Sequence, residues 1–327
     1  MNNSPTRGTA INPARARSTD IRLGQADSTK KLRAFLIGTG IEKSISPAIH
    51  NTLFGKLGLN AEYSLLDLEG SELESKVGEL RTAGDVLGFN VTAPFKERVM
   101  MFLSSVDEHC QPIGAVNTVK VSADGELSGY NTDVFGIDIS VERLGCFSDG
   151  ESSRRNKGAV ILGAGGAARA CMFVLLSRGF EQITVFNRSK ERALNVVENF
   201  KSRFREARLE AAKLDQVDLF EERLRTSELV INAISDQWVS GGKFPISIDF
   251  GTIRRNGNNR LRVLDLGYKH DSPLLEGAKS AGIVSMDGLL MLAGQASKSF
   301  EIWTGITPKI EEVMSLAKRA VETIRGC

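Results

Sequence analysis

Three stretches of this chain combine reactive side chains with residues that fix a backbone. They are Asn90-Val91-Thr92-Ala93-Pro94-Phe95-Lys96, Asn131-Thr132-Asp133 and Gly163-Ala164-Gly165-Gly166-Ala167-Ala168. A lysine fixed at the end of a strand is either a solvated surface charge or a positioned acid that gives a proton to oxygen. Lys96 and Asp133, if they converge on a cleft, suit proton transfer to a ketone oxygen; as a surface ion pair they contribute little. The glycine run follows an apolar strand and precedes a helix, the setting in which G-x-G-x-x-A binds a dinucleotide. Gly163 permits the tight turn, Gly165 lets backbone approach a pyrophosphate, and Ala168 packs helix on sheet.

The elements around Lys96 read as an α/β unit. Val86 to Val91 is a buried strand, with Thr92 placed to cap a following helix and Pro94 in its first turn. That helix carries Val99, Met100 and Leu103 inward. Before it come a strand at Leu32 to Gly38, a helix opened by Ser46-Pro47, a strand at Glu62 to Asp67 and a helix from Ser71 to Arg81. This β-α-β-α-β order predicts a mixed or parallel sheet covered by helices. N-capping alone explains Ser46, whereas Ser44 lies outside the helix; two hydroxyls two residues apart also suit a polyol or carboxylate ligand. Asn117 falls in an expected strand, Ile113 to Val119, where its amide is satisfied by backbone or by ligand. Asp133 opens a helix from Val134 to Leu144, where the helix dipole favours an acid.

Residues 146–158 are polar and mark a boundary. Beyond the glycine run, a strand at Gln182 to Phe186 ends in Asn187-Arg188-Ser189, with Arg192 one helical turn further on. An NAD site places a carboxylate there to bind the ribose 2′-hydroxyl. Two guanidiniums and a hydroxyl favour a 2′-phosphate, so the cofactor expected is NADP. Strands at Leu229 to Ala233 and Leu261 to Leu266 continue a doubly wound sheet, and residues 236–259 are loop-like. A helix from Leu289 to Trp303 puts Leu292, Gln295 and Ser299 on one face, and the last helix, Lys309 to Arg325, carries an apolar stripe.

The whole composition narrows the partners. With 42 basic against 40 acidic residues the net charge is +2, which gives no footprint for nucleic acid or an anionic membrane. No apolar run reaches the roughly 20 residues of a membrane span. The four cysteines lack metal or redox spacing, suggesting reduced thiols in a cytoplasmic protein, and the three histidines are scattered, so no metal site is expected. Residues 1–30 read as a disordered tail, with an Arg/Ser-rich targeting segment as the alternative.

Taken in order, Ser44-Ile45-Ser46-Pro47, Asn90 to Lys96, Gly114-Ala115-Val116-Asn117-Thr118, Asn131-Thr132-Asp133, Gly163 to Ala170, Asn187-Arg188-Ser189 and Met291-Leu292-Ala293-Gly294-Gln295 resemble the shikimate/quinate dehydrogenase family from about residue 34 to 325. The resemblance implies an α/β protein in two parts: a substrate-binding catalytic domain from 31–133 and 283–327, and a Rossmann-type doubly wound parallel-sheet NADP domain from 134–282. It implies Lys96 and Asp133 as the catalytic pair, and Ser44, Ser46, Thr92, Asn117, Tyr268 and Gln295 as substrate contacts. Gly163, Ala164, Gly165, Gly166, Ala167, Asn187, Arg188, Ser189, Arg192 and Gly288 form the expected cofactor set. The implied reaction is NADP-dependent reduction of 3-dehydroshikimate to shikimate, by a monomer or homodimer. A quinate or aminoshikimate dehydrogenase and a non-catalytic NADP-binding sensor are the alternatives. Two departures from the family stand out: Asn232-Ala233-Ile234-Ser235-Asp236-Gln237-Trp238, where Asn-Ala-Thr and a Gly-Met pair are usual, and His270, where proline is common.

Overall fold

The computed structural model describes residues 30–146, 157–234, 248–269 and 272–325. The expected tail up to Thr29, the Arg154-Arg155-Asn156 cluster, the altered residues from Ser235 onward and His270 lie outside these ranges.

The first sheet has six strands: β1 (Leu32–Gly38), β2 (Ala61–Asp67), β3 (Val86–Val91), β4 (Ser105–Val106), β5 (Thr118–Val121) and β6 (Leu127–Tyr130). Their order is β2-β1-β3-β5-β6-β4. β1 runs parallel to β2 and β3, whereas β5 is antiparallel to both β3 and β6. The sheet is thus mixed. Every residue of β3 is buried, because apolar layers cover both faces. On one face α1 (Ser46–Lys56) meets α10 (Leu289–Thr304) and α11 (Ile310–Arg325), with Ile49, Leu53, Phe54, Phe300, Trp303 and Val313 in the core. On the other, Leu73 and Val77 of α2 (Leu73–Thr82) pack with Phe35, Ile37, Phe89 and Phe95. Gly88 is needed where α10 presses on β3: a Cβ there would lie 2.3 Å from Trp303 Nε1, whose N–H donates to Val119 O at 3.0 Å.

The second sheet is β7 (Gly158–Leu162), β8 (Gln182–Asn187), β9 (Arg208–Lys213), β10 (Leu229–Asn232), β11 (Arg262–Asp265) and β12 (Val284–Met286), ordered β12-β11-β10-β7-β8-β9. All its pairings are parallel, the doubly wound Rossmann-type arrangement. Its helices are α5 (Gly166–Ser177), α6 (Lys190–Lys201), α7 (Val217–Thr226), α8 (Phe250–Arg255) and α9 (Pro273–Ser280). The strand order reverses at β7, between β8 and β10, the position where such sheets bind ligands. α4 (Asp133–Arg143) joins the two sheets, preceded by the short α3 (Cys110–Ile113). α4 crosses α10 so closely that a Cβ on Gly136 would stand 2.2 Å from Met291 O.

Several local expectations change. No helix follows Thr92. Its N–H donates to Ile37 O at 2.8 Å, extending the β1–β3 contact, and Phe95 N then closes a turn onto Thr92 O at 2.9 Å. A 3₁₀ turn, Arg98–Phe102, follows; it still buries Val99. The strand expected from Ile113 begins only at Thr118, because Gly114 leaves α3 in a left-handed conformation, φ +68°. Ser46 is not a helix cap: buried Ile45 already takes α-region backbone, so the helix starts at Ser46 with no side-chain cap. β12 pairs with β11, so the second sheet runs past the limit expected at residue 282.

Candidate active site

Five segments converge on one cavity of about 240 Å³. They are the loop from β1 to α1, the end of β3 with the turn after it, the residue before β5, the start of α4 with the facing turn of α10, and the residues after β11. Ser44, Ser46, Thr92, Lys96, Asn117, Asp133, Tyr268 and Gln295 all line it. Every expected substrate and catalytic position is therefore brought to one pocket, although the positions are scattered over some 250 residues of chain.

Lys96 Nζ lies 2.5 Å from Asp133 Oδ2, and the side chains are 16% and 3% exposed. The other carboxylate oxygen, Oδ1, accepts from Asn117 Nδ2 at 2.7 Å. Asn117 Oδ1 in turn accepts from Thr132 N at 2.7 Å. Asp133 thus has both oxygens engaged at the N-terminus of α4, where the helix dipole also favours negative charge. Asn117 reaches the cavity but spends its amide on orienting Asp133.

Behind this pair lies a buried polar network that the sequence motifs do not assemble. Asn90 Nδ2 donates to Thr118 Oγ1 at 2.9 Å and to Ser299 Oγ at 3.0 Å. The Ser299 and Thr132 hydroxyls are 3.1 Å apart, which links the network to α4. Tyr63 Oη donates to Asn90 Oδ1 at 2.9 Å, and burial raises its phenol well above the ordinary range, so it stays a donor. A buried tyrosine hydroxyl needs a partner; Tyr63 sits between Glu62 and Ser64 in β2 and is the buried residue of that strand, which its local sequence does not signal. His50 stacks on Tyr63 with centroids 4.4 Å apart. Burial lowers its imidazole to about 3, and neither ring nitrogen has a hydrogen-bond partner among the described residues.

The remaining contacts are local. Ser44 Oγ donates to Ser46 Oγ at 3.2 Å and accepts from Ser46 N, the first N–H of α1, at 3.3 Å; both serines line the cavity. Gln295 Nε2 donates to Leu292 O at 3.1 Å. Lys269, which no sequence motif singled out, also lines the cavity.

The glycine run meets the requirements of a phosphate cradle. Gly163 has φ +103°, and a Cβ there would stand 2.9 Å from Ala233 O. Gly165 faces open space, with nothing within 4 Å of its Cβ position. α5 begins without a side-chain cap, so its first N–H groups are left for an anion. Ala164 is buried and Ala167 half-buried. Gly166 abuts Lys96, since a Cβ on it would be 2.9 Å from Lys96 Cδ. At the end of β8, Arg188 and Arg192 are exposed. Ser189 caps α6, accepting from Arg192 N at 3.3 Å, and donates to Glu191 Oε2 at 2.7 Å, while Asn187 Nδ2 donates to Ser189 O at 3.0 Å. Gly288 lies against the residue that follows β11: its N–H donates to Gly267 O at 3.0 Å, and a Cβ would be 2.1 Å from Leu266 O. Close approach explains this glycine. The residues present fit a dinucleotide. Among the described residues no group of three or more His, Cys, Asp or Glu side chains is placed to hold a metal.

Family models match the chain at residues 36–119 (shikimate dehydrogenase substrate binding domain), 149–240 (shikimate / quinate 5-dehydrogenase) and 288–318 (shikimate 5′-dehydrogenase C-terminal domain). A shikimate dehydrogenase (NADP(+)) of Caldanaerobacter subterraneus subsp. tengcongensis is 37% identical over 85% of this chain and 93% of its own. Shikimate 5-dehydrogenase from Thermus thermophilus, crystallised with NADP(H) and shikimate, is 31% identical with a TM-score of 0.72, over 88% of this chain and 99% of that one. The Listeria monocytogenes shikimate 5-dehydrogenase, crystallised with shikimate and NAD, is 29% identical with a TM-score of 0.74, over 88% and 96%.

Proposed function

The chain belongs to the shikimate dehydrogenase family, and on that basis we propose that it catalyses the reversible NADP-dependent reduction of 3-dehydroshikimate to shikimate. The observation that carries this reading is the 2.5 Å contact of Lys96 with Asp133 inside a cavity that adjoins the Gly163–Gly166 cradle. In this reading residues 31–133 with α10 and α11 form the substrate side, and the second sheet with its helices forms the cofactor side.

Gly163, Gly165 and the N-terminus of α5 hold the pyrophosphate, and Arg188 with Arg192 takes the 2′-phosphate. Bound there, the nicotinamide cofactor supplies hydride in one direction and accepts it in the other. Lys96 holds the ketone oxygen of the substrate and gives it a proton as negative charge gathers on it. Asp133 fixes the ammonium and accepts a hydrogen bond from a neighbouring substrate hydroxyl. Asn117 keeps Asp133 in register. Ser44, Ser46, Thr92, Tyr268 and Gln295 supply the remaining donors and acceptors for a carboxylate and a polyol ring.

Steady-state oxidation of shikimate and quinate, each with NADP and NAD, tests the assignment. The expected result is fastest turnover of shikimate with NADP; faster quinate turnover with NAD would overturn it. For the cofactor, Arg188→Leu is expected to raise KM for NADP by one to two orders of magnitude and leave KM for NAD within about threefold. Equal losses would place the 2′-phosphate elsewhere.

A further inference from the structure

Tyr63 is fully buried and lies behind the cavity wall, yet its phenol heads a chain of hydrogen bonds that ends on Asp133. Tyr63 Oη donates to Asn90 Oδ1 at 2.9 Å. Asn90 Nδ2 donates to Thr118 Oγ1 at 2.9 Å, and Thr118 Oγ1 to Asn117 Oδ1 at 3.2 Å. Asn117 Nδ2 then donates to Asp133 Oδ1 at 2.7 Å. Every member gives its hydrogen to the next, so each bond polarises the one that follows. The last acceptor is the carboxylate that holds Lys96 through its other oxygen.

Two backbone groups fix the direction of this chain. Asn117 O can only accept, and it lies 3.2 Å from Asn90 Nδ2, so the Asn90 amide turns its oxygen to the phenol. Thr132 N can only donate, and it lies 2.7 Å from Asn117 Oδ1, so that amide turns its nitrogen to Asp133. At the head of the chain, the phenol is the one donor to Asn90 Oδ1 among the described residues. The Tyr63 ring is held by His50, stacked on it at 4.4 Å between centroids, and by Trp303 at 6.0 Å. With the hydroxyl gone, a buried amide oxygen is left without a partner. Asn90 also reaches the cavity, so its amide can then turn there and withdraw its hydrogen from Thr118.

Resting on the reaction proposed above, we propose that Tyr63 is a positioning residue: acting through Asn90, Thr118 and Asn117, its hydroxyl holds the Lys96–Asp133 pair in the geometry that proton transfer needs. The role belongs to the chemical step, so it appears in kcat rather than in KM.

The experiment measures steady-state shikimate oxidation with NADP for the full chain, Tyr63→Phe, Asn117→Ala and the double variant. Tyr63→Phe keeps the ring and is expected to lower kcat about tenfold, with KM for shikimate and for NADP within about threefold. In the Asn117→Ala background the same change is expected to alter kcat less than twofold, because the chain is already cut nearer Asp133. Thr118→Val, which removes a different hydroxyl of the chain and keeps the side-chain shape, is expected to reproduce the loss in kcat and decides the matter if Tyr63→Phe does not fold. A kcat within twofold of the parent for Tyr63→Phe or for Thr118→Val would overturn the proposal, as would losses that multiply in the double variant or a loss confined to KM. If the unsubstituted protein does not oxidise shikimate, the reaction assignment fails and this role fails with it. Oxidation by the parent and by Tyr63→Phe at equal rates removes the positioning role alone.

Discussion

Asp133 reaches Lys96 through one oxygen and Asn117 through the other, so the ammonium is aimed by a carboxylate that is itself held in place. Lys96→Ala is expected to lower kcat by about 10³-fold, within the range of general acid catalysis, with NADP binding by fluorescence titration almost unchanged; a rate within tenfold of the parent would remove Lys96 from the proton transfer. Asn117→Ala leaves Asp133 Oδ1 and the Thr132 N–H without their partner, and should cost about 1–3 kcal/mol in urea unfolding as well as much of kcat. The identities of these side chains were legible in the sequence, but their use was not. Lys96 and Asp133 lie 37 positions apart, and spacing of that kind cannot separate a reacting pair from a surface ion pair. Ser46-Pro47 carried the signature of a capped helix; burial of Ile45 moved the helix start and freed the hydroxyl, a tertiary effect that a local motif does not encode.

Two glycines illustrate how an element is constrained by what lies beside it. On helix propensity alone, Gly136→Ala in α4 would gain about 1 kcal/mol. The added Cβ would fall 2.2 Å from Met291 O on α10, and overpacking against backbone costs typically about 1–3 kcal/mol. The clash is expected to win, lowering Tm, and a raised Tm would show that the α4–α10 crossing can yield. Gly165→Ala is the opposite case, with φ −96° and an open Cβ position. It should leave Tm within a degree or two and raise the Kd for NADP at least tenfold, because the methyl occupies space the pyrophosphate requires. The long buried elements, β1, β3, β7, β8 and α10, were readable because apolar runs and stop signals agreed. β4 and β12 are two and three residues long, and half-exposed β9 reads Arg-Leu-Glu-Ala-Ala-Lys. Such edge strands exist because a neighbour offers hydrogen bonds, a cause outside their own sequence.

For the molecule as a whole, acid sensitivity follows from one buried side chain. His50 is fully enclosed, and burial lowers its imidazole to about 3 from an ordinary 6.5. Between those values the unfolded chain binds a proton that the folded chain refuses, so stability rises with pH there. The contribution is intact above pH 6.5 and is lost as pH falls towards 3; by pH 5 the loss amounts to about 2 kcal/mol. Urea unfolding of His50→Phe should show a flatter acid limb than the parent between about pH 6.5 and 5, and parallel limbs would mean that other groups govern that window. Among the described residues no helix is long and apolar enough to cross a membrane.

The first sheet is covered on one face by α10 and α11, which follow it in the chain only after the entire second sheet. Phe300, Trp303 and Val313 complete its core, and Met291, Leu292 and Gln295 complete its cavity. During synthesis the ribosome therefore finishes the second sheet while the first still lacks the cover of α10 and α11. The sheet made earliest waits longest for its cover, and its cavity is lined in full only once α10 has been made.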